Sequence, residues 1–264
     1  MADKTKADKA PNTDQQHRET RHVVIYGYTR RELANILKHL ESQLPEFVKI
    51  SITSEHRVTK IFLTGVNSGV ELLRFKKNRY QQNLSDLFSE ETVATADKTI
   101  SQVLGELLQE RELSVATAES CTGGNIAHRI VQMPGSSAYF LGSVVSYSND
   151  VKAGVLGVSR SDIDTYGAVS RQVVEQMVAG VSRLMRTDCA IATSGIAGPD
   201  GGTPFKPVGT VWIAAKSGER VVSECIHFDG DRNAVIEQAT NHGMFMLIQL
   251  LRNTYVMQED FVDE

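Results

Sequence analysis

The sequence predicts an α/β protein: a layered α/β/α domain with a mixed sheet, preceded by a small α/β domain. Strand patterns alternate with amphipathic helix patterns along most of the chain, which is typical of layered α/β domains. The net charge is −4, but residues 1–90 carry +4 and residues 91–264 carry −8, which indicates two units with different surfaces. The last two strand patterns meet at a Ser217-Gly218 turn, so the main sheet is expected to be partly antiparallel.

A tail and a small domain are predicted at the start of the chain. Residues 1–21 are rich in Lys, Asp, Gln and Thr and lack apolar periodicity, which predicts a disordered tail. Residues 22–90 follow as the small α/β domain, and residues 91–97 are polar and suit a linker. The predicted elements are a strand at 22–26, a helix at 29–43, strands at 47–53 and 57–63, a break at 65–69 and a helix at 70–80.

Residues 98–254 are predicted to form the main domain, followed by an acidic tail at 255–264. Ser170 precedes a stripe of apolar residues that predicts a capped helix reaching about residue 185. The other predicted elements are helices at 98–110, 123–133 and 231–251 and strands at 114–118, 143–147, 189–193, 208–216 and 220–228.

Composition excludes several classes of protein. Hydrophobic residues make up 41% of the chain and charged residues 23%, as in ordinary globular domains and unlike disordered or collagen-like chains. The longest apolar stretch, 244–251, is too short to span a membrane, and the N-terminus has no secretory pattern. Three cysteines, Cys121, Cys189 and Cys225, form no CxxC pair, which fits a reducing compartment. These features predict a cytoplasmic protein, and the acidic second unit argues against a nucleic-acid partner.

The strongest local motif is Ala-Glu-Ser-Cys-Thr-Gly-Gly at 118–124, where a predicted strand meets a predicted helix. Glycines allow consecutive backbone N–H groups to point at one place, and the helix dipole adds positive potential there. The motif therefore indicates a phosphate or oxyanion site at Thr122, Gly123 and Gly124, although a plain capped turn fits equally. No P-loop, GxGxxG or GxSxG pattern occurs, which removes the main support for ATPase, Rossmann and α/β-hydrolase interpretations.

Lys152 is a candidate general base. If Asn149 caps the helix after the second strand, Lys152 lies in its first turn, where the dipole disfavours a cation by about 0.3–1 kcal/mol. Burial would lower the lysine pKa further, and a neutral lysine can accept a serine proton, as Ser-Lys hydrolases require. Tyr147 could relay or stabilise that proton. From the spacing alone, a plain solvated lysine is the stronger interpretation.

A long loop and one arginine are candidates for substrate binding. The segment 195–207 holds three of the six prolines, and loops of this length inside a domain are often functional. Arg232 follows a glycine and an aspartate, where it could clamp a phosphate or form an ordinary first-turn ion pair. The seven histidines show no ligand spacing, so no metal site is predicted, although carboxylates such as Asp200, Asp229 and Asp231 could hold Mg²⁺.

Seven motifs occur in an order that resembles a known family. They are the motif at 118–124, Gly-Ser-Ser at 135–137, Tyr-Ser-Asn-x-x-Lys at 147–152, Gly-Ala-Val-Ser at 167–170, Ser-Gly-Ile-Ala-Gly-Pro-Asp-Gly-Gly at 194–202, Lys-Pro-Val-Gly-Thr-Val at 206–211 and Gly-Asp-Arg at 230–232. Over residues 98–252 the series resembles the C-terminal domain of the competence/damage-inducible protein CinA, the nicotinamide-nucleotide amidohydrolase family. Residues 22–90 more weakly resemble the KH-like middle domain of full-length CinA.

The resemblance implies hydrolysis of the carboxamide of nicotinamide mononucleotide, giving nicotinic acid mononucleotide and ammonia in pyridine-nucleotide salvage. It implies no cofactor, and it implies a homo-oligomer. The family's serine, tyrosine and lysine correspond to Ser137 or Ser120, Tyr147 and Lys152; Ser137 is favoured as the nucleophile, with Ser120 as hydrogen-bonding support. Substrate contacts are expected in the same motifs, at Thr122, Gly123, Gly124, Asn149, Ser194, Gly195, Gly198, Asp200 and Arg232.

Two other functions compete with this one. A catalytically silent, nucleotide-binding regulatory protein would keep the pocket without turnover. A KH-type RNA-binding protein ranks last, because KH domains use a GxxG loop and the segment 65–69 has three residues between its glycines.

Overall fold

The protein is described here by a computed structural model covering residues 17–67 and 69–253. The elements of its first unit are β1 (His17–Tyr26), α1 (Arg30–Gln43), β2 (Val48–Glu55), β3 (Val58–Asn67), α2 (Gly69–Lys77), α3 (Tyr80–Leu87) and β4 (Thr92–Ala94). The strands form an antiparallel sheet in the order β2-β3-β1-β4. The core packs Val23 and Ile25 of β1 with Leu33 of α1 and Phe75 of α2. A small α/β unit is thus confirmed, and its KH-like character stays a prediction.

The start of this unit differs from the sequence prediction. Residues 17–21 are the first half of β1, not part of a disordered tail, and all of β1 pairs with β3. The pairing with β3 provides hydrogen-bond partners for the backbone N–H and C=O groups of this polar segment. The composition of residues 17–21 cannot show that such a partner strand exists. Residues 1–16 of the predicted tail, and 254–264 with the predicted acidic tail, lie outside the described residues.

Three internal boundaries were also wrong. Gly65 does not break the chain but continues β3, paired with Glu19 on one side and Val48 on the other. The predicted helix 70–80 is instead divided between α2 and α3. The predicted linker 91–97 contains β4, which pairs with β1 and so belongs to the first sheet.

The second unit is built on a mixed sheet. Its elements are α4 (Ile100–Glu110), β5 (Val115–Glu119), α5 (Asn125–Val131), a 3₁₀ turn (Ser136–Ala138), β6 (Phe140–Val145), α6 (Asn149–Leu156), α7 (Arg160–Tyr166), α8 (Arg171–Met185), β7 (Cys189–Gly195), β8 (Thr210–Ser217), β9 (Arg220–His227) and α9 (Arg232–Arg252). The strand order is β6-β5-β7-β8-β9. β5 is parallel to β6 and β7, and the remaining pairs are antiparallel, which confirms the predicted mixed sheet.

Helices cover both faces of this sheet. α4, α5 and α9 share a core with one face, and α7 and α8 share a core with the other. On the second face, strand alanines such as Ala118, Ala192 and Ala214 meet Val174 and Val178 of α8. Small strand residues allow the helix to lie close to the sheet, where its branched side chains fill the space. The layered α/β/α arrangement is therefore confirmed.

The first unit packs on α9 and β9. Val24, Tyr26 and Val93 belong to the same buried cluster as the residues of α9. The Tyr26 hydroxyl lies 3.1 Å from His242 Nδ1, and His242 Nε2 lies 2.8 Å from a carboxylate oxygen of Glu224. Within the described ranges no helix is both long and apolar enough to cross a membrane. The cytoplasmic location and the homo-oligomer stay predictions.

Candidate active site

Three parallel strands end at one edge of the main sheet. β5 leads into Ser120, β6 leads into Ser146 and Tyr147, and β7 ends at Gly195. Because β6 and β7 both run parallel to β5, their carboxyl ends lie side by side. This edge is the usual place for a ligand site in an open α/β sheet.

Ser120 and Lys152 are in direct contact at this edge. Lys152 Nζ donates to Ser120 Oγ at 3.0 Å and to the carbonyl oxygen of Ser146 at 2.7 Å. Lys152 is only 1% exposed, and this burial lowers the pKa of its amine because the charged form loses hydration. A serine hydroxyl beside a lysine with a lowered pKa has the geometry of a nucleophile and its base.

Two sequence predictions around this pair are corrected. Ser137 lies exposed on the 3₁₀ turn that precedes β6, whereas Lys152 lies beyond the other end of β6. Six strand residues span about 20 Å, so Lys152 contacts Ser120 and not the favoured Ser137. Asn149 is the first residue of α6 and is exposed; the cap is Ser148, whose hydroxyl accepts from the Val151 N–H.

The turn after β5 is organised around the carboxylate of Glu119. This fully buried side chain accepts hydrogen bonds from the N–H groups of Gly124 at 2.9 Å, Ile126 at 3.1 Å and Ala127 at 2.8 Å. The Gly123 N–H donates to a backbone carbonyl in the same turn. The prediction that the Gly123 and Gly124 amides bind a substrate anion is therefore wrong, because the chain's own groups accept from both.

Among the described residues, the N–H groups of the two residues before these glycines have no acceptor of this kind. No other residue in the described part of the chain accepts from the N–H of Cys121 or Thr122; the Cys121 N–H lies against its own thiol. Both directly follow Ser120, whereas the Thr122 hydroxyl is used internally, donating to Glu119 Oε2 at 2.7 Å. Burial raises the pKa of the Cys121 thiol to about 12, so this thiol is neutral and does not compete with Ser120 as a nucleophile.

Tyr147 and Arg232 form one rim of the site. Arg232 is the first residue of α9; its Nη2 donates to the Tyr147 hydroxyl at 3.1 Å and its Nη1 donates to the Gly198 carbonyl at 2.7 Å. Tyr147 is 62% exposed and hydrogen-bonds Arg232 rather than Lys152. The arginine thereby joins the long loop to the segment that follows β6, at the edge of the sheet where Ser120 also lies.

The long loop is fixed at its base by hydrogen bonds from Lys206 and Ser194 to the segment 166–169. Lys206 Nζ donates to the carbonyl oxygens of Tyr166 and Val169, both at 2.8 Å. The Ser194 hydroxyl donates to the Ala168 carbonyl at 2.7 Å, so Ser194 anchors the loop instead of facing a substrate. The Gly-Ala-Val-Ser motif is thus an anchor point for the loop.

The remaining predicted residues of this loop have different roles. Any side chain at Gly195 would place its Cβ 2.7 Å from a methyl group of Val211, so this glycine permits close packing of β7 on β8. Asp200 lies exposed on the outer part of the loop, and its substrate contact stays a prediction. Across the described residues, no group of three His, Cys, Asp or Glu side chains is arranged to hold a metal ion.

The family profile of the CinA C-terminal domain matches residues 97–251, well over half of the chain. The chain belongs to the CinA family. The CinA domain and the preceding unit together are similar to a CinA-like protein of Flavobacterium psychrophilum, with 36% identity over 88% of this chain and 56% of that protein. The chain therefore spans about half the length of that relative.

Two further comparisons concern the CinA domain alone. The nicotinamide-nucleotide amidohydrolase PncC of Pseudomonas putida is 50% identical over 58% of this chain and 95% of its own length. A crystal structure of a CinA superfamily protein from Klebsiella pneumoniae matches with a TM-score of 0.56 and 34% identity, covering 59% of this chain and 99% of that one. A chain made almost entirely of this domain therefore exists among the relatives.

Proposed function

We propose that the CinA domain of this protein is an amidohydrolase that converts nicotinamide mononucleotide to nicotinic acid mononucleotide and ammonia. The observation that carries this proposal is the 3.0 Å contact between Ser120 Oγ and the buried amine of Lys152. The name of the Pseudomonas putida relative, 50% identical to this domain, supplies the substrate.

The geometry supports a serine–lysine mechanism. In its neutral form Lys152 accepts the proton of Ser120 Oγ while that oxygen attacks the carboxamide carbon. The N–H groups of Cys121 and Thr122 are the proposed donors to the oxyanion of the tetrahedral intermediate. The protonated amine of Lys152 then gives its proton to the departing amide nitrogen, and the C–N bond breaks to release ammonia.

The second half of the reaction reverses these roles. An ester now joins Ser120 to the nicotinoyl carbon, and Lys152 is neutral again. It removes a proton from a water molecule that attacks the ester, and the Ser120 oxygen leaves with that proton. Nicotinic acid mononucleotide is released, and both side chains return to their starting states.

We assign substrate binding to Arg232 and Tyr147. Because Glu119 occupies the N-terminus of α5, the substrate phosphate needs a different partner, and we assign it to Arg232, which contacts Gly198 and Tyr147. A guanidinium can hold a phosphate through two parallel hydrogen bonds. Tyr147 is held beside this arginine and is proposed to contact the nucleotide rather than to transfer a proton.

The test compares three alanine variants with the wild type. The purified protein is incubated with nicotinamide mononucleotide, and ammonia and the acid product are both measured. Ser120→Ala and Lys152→Ala should each lose at least about a thousandfold in kcat, as loss of nucleophile or base does in related hydrolases. Ser137→Ala is the matched control, because this exposed serine belongs to the same motif series but lies at the far end of β6.

Two outcomes would contradict the proposal. Binding of the mononucleotide without any release of ammonia would favour the silent, nucleotide-binding alternative. Loss of activity in Ser137→Ala with activity retained in Ser120→Ala would exchange the roles of the two serines.

A further inference from the structure

Residue 119 contacts both the turn after Ser120 and the segment that leads to Lys152. Its side chain binds the turn that carries Ser120, and its backbone carbonyl accepts from the Ser146 N–H at 2.8 Å. The Ser146 carbonyl in turn accepts from Lys152 Nζ at 2.7 Å. The segment that carries Ser120 and the segment that contacts Lys152 are therefore both hydrogen-bonded to Glu119.

We infer that Glu119 is a positioning residue for the amidase reaction, which rests on the proposed function. Its carboxylate is the acceptor that holds the segment from Thr122 to Ala127, and it thereby fixes where Ser120 Oγ and the N–H groups of Cys121 and Thr122 lie. It does not touch the substrate. It acts through the turn, by removing the alternative positions that the glycines would allow.

The contacts of the carboxylate explain why a charged acceptor is needed. Oε2 accepts from the Thr122 hydroxyl and from the N–H groups of Gly124 and Ile126, while Oε1 accepts from the Ala127 N–H. The Thr122 hydroxyl is also within 2.7 Å of the Thr193 hydroxyl, at the end of β7. Hydrogen bonds to an ionised acceptor are about twice as strong as neutral ones, and the N-terminus of α5 favours a negative charge.

Glu119→Gln is the variant that tests this role. It preserves the shape of the side chain but replaces one oxygen by an NH₂ group, and in either orientation that group faces an N–H donor. The turn must then shift. Since a displacement of about 1 Å at reacting atoms lowers a rate about 100-fold, we expect kcat to fall about 100-fold. KM should stay within about threefold, because Arg232 and the long loop are unchanged.

The measurement separates positioning from loss of folded protein. Steady-state kinetics with nicotinamide mononucleotide give kcat and KM, and the amplitude of the thermal unfolding transition gives the folded fraction. The expected result is a kcat per folded molecule about 100-fold below wild type. Glu119→Asp, which keeps the charge, should recover part of that loss.

A matched carboxylate provides the control. Asp188 accepts from the N–H and the hydroxyl of Ser114, at the opposite end of β5. Asp188→Asn therefore makes the same chemical change at the same strand, away from Ser120, and should leave kcat within about twofold. If Glu119→Gln does not fold, Thr122→Ala removes one donor to the carboxylate and should lower kcat about tenfold.

The outcomes that overturn the inference are distinct from failure of the proposed function. An active wild type with unchanged kcat in Glu119→Gln would overturn the positioning role alone. So would a kcat that falls only in proportion to the folded fraction. A wild type that releases no ammonia would overturn the proposed function and this role with it.

Discussion

Replacing Lys152 by methionine should abolish turnover without destabilising the protein at neutral pH. The lysine is 1% exposed, and among the described residues its amine has two hydrogen-bond partners, Ser120 and Ser146, and no carboxylate. Losing two hydrogen bonds costs about 1 kcal/mol each, whereas burying an ammonium group costs several kcal/mol. We therefore expect the free energy of unfolding of Lys152→Met at pH 7 to equal or exceed that of the wild type.

The two proteins should also differ in how stability depends on pH. Burial lowers the folded-state pKa of Lys152 below the unfolded value of about 10.4. Between these two values the unfolded chain binds more protons at this site than the folded chain. The free energy of unfolding of the wild type therefore gains up to about 1.4 kcal/mol per pH unit in this window, and gains nothing from Lys152 below it. Lys152→Met lacks this increment.

The assay is denaturant unfolding of both proteins at several pH values from 7 to about 10.4, beside a pH profile of wild-type kcat/KM. The difference in unfolding free energy and the rise of kcat/KM should show the same apparent pKa, because both report the neutral amine of Lys152. Lys38→Met, which changes an exposed lysine of α1, should follow the wild type in both measurements. A stability difference that is constant with pH, or measurable turnover by Lys152→Met, would refute this reasoning.

Two other predictions concern the rim and the first unit. Arg232→Ala should raise KM for the mononucleotide at least tenfold with a smaller loss of kcat, whereas KM and kcat for the dephosphorylated riboside should barely change. A loss confined to kcat would contradict a role in phosphate binding. A chain of residues 97–253 should retain most of the wild-type kcat but unfold at a lower temperature. The reason is that the truncation removes Tyr26, which packs on Phe245 with ring centroids 4.5 Å apart. Calorimetry of both chains checks this, and equal unfolding temperatures would contradict it.

The local patterns of the sequence predicted most of the second unit. Apolar stripes and turn residues located most of its helices and strands to within a few residues, although α7 was not predicted. The Ser217-Gly218 turn correctly predicted the antiparallel pair β8 and β9. Lys152 was correctly placed in the first turn of a helix, but the interpretation favoured from spacing alone, a solvated lysine, was wrong, because Lys152 is 1% exposed. These features depend on neighbours in sequence, which periodicity can detect.

The errors arose where a distant segment decides the structure. β1 reaches back to His17 because β3 offers a partner along its whole length, and no pattern within residues 17–21 records that partner. The glycine turn has the features of an anion site, yet Glu119, one residue before Ser120, supplies the anion internally. That Lys152 lies beside Ser120 and far from Ser137 follows from the direction of β6, which only the sheet topology provides.

α9 fixes the distance and the rotation between Arg232 and His242. Its first residue, Arg232, binds Gly198 and Tyr147, and His242, ten residues later, binds Tyr26 of the first unit. An α-helix advances about 1.5 Å and turns about 100° per residue, so one inserted or deleted residue between them would rotate one partner out of reach of its contact. We therefore expect a change in the length of α9 between residues 232 and 242 to be rejected, whereas a point substitution at the exposed Asn233 should be tolerated. The length of α9 therefore fixes two sets of contacts together: those of Arg232 with Gly198 and Tyr147, and that of His242 with Tyr26 of the first unit.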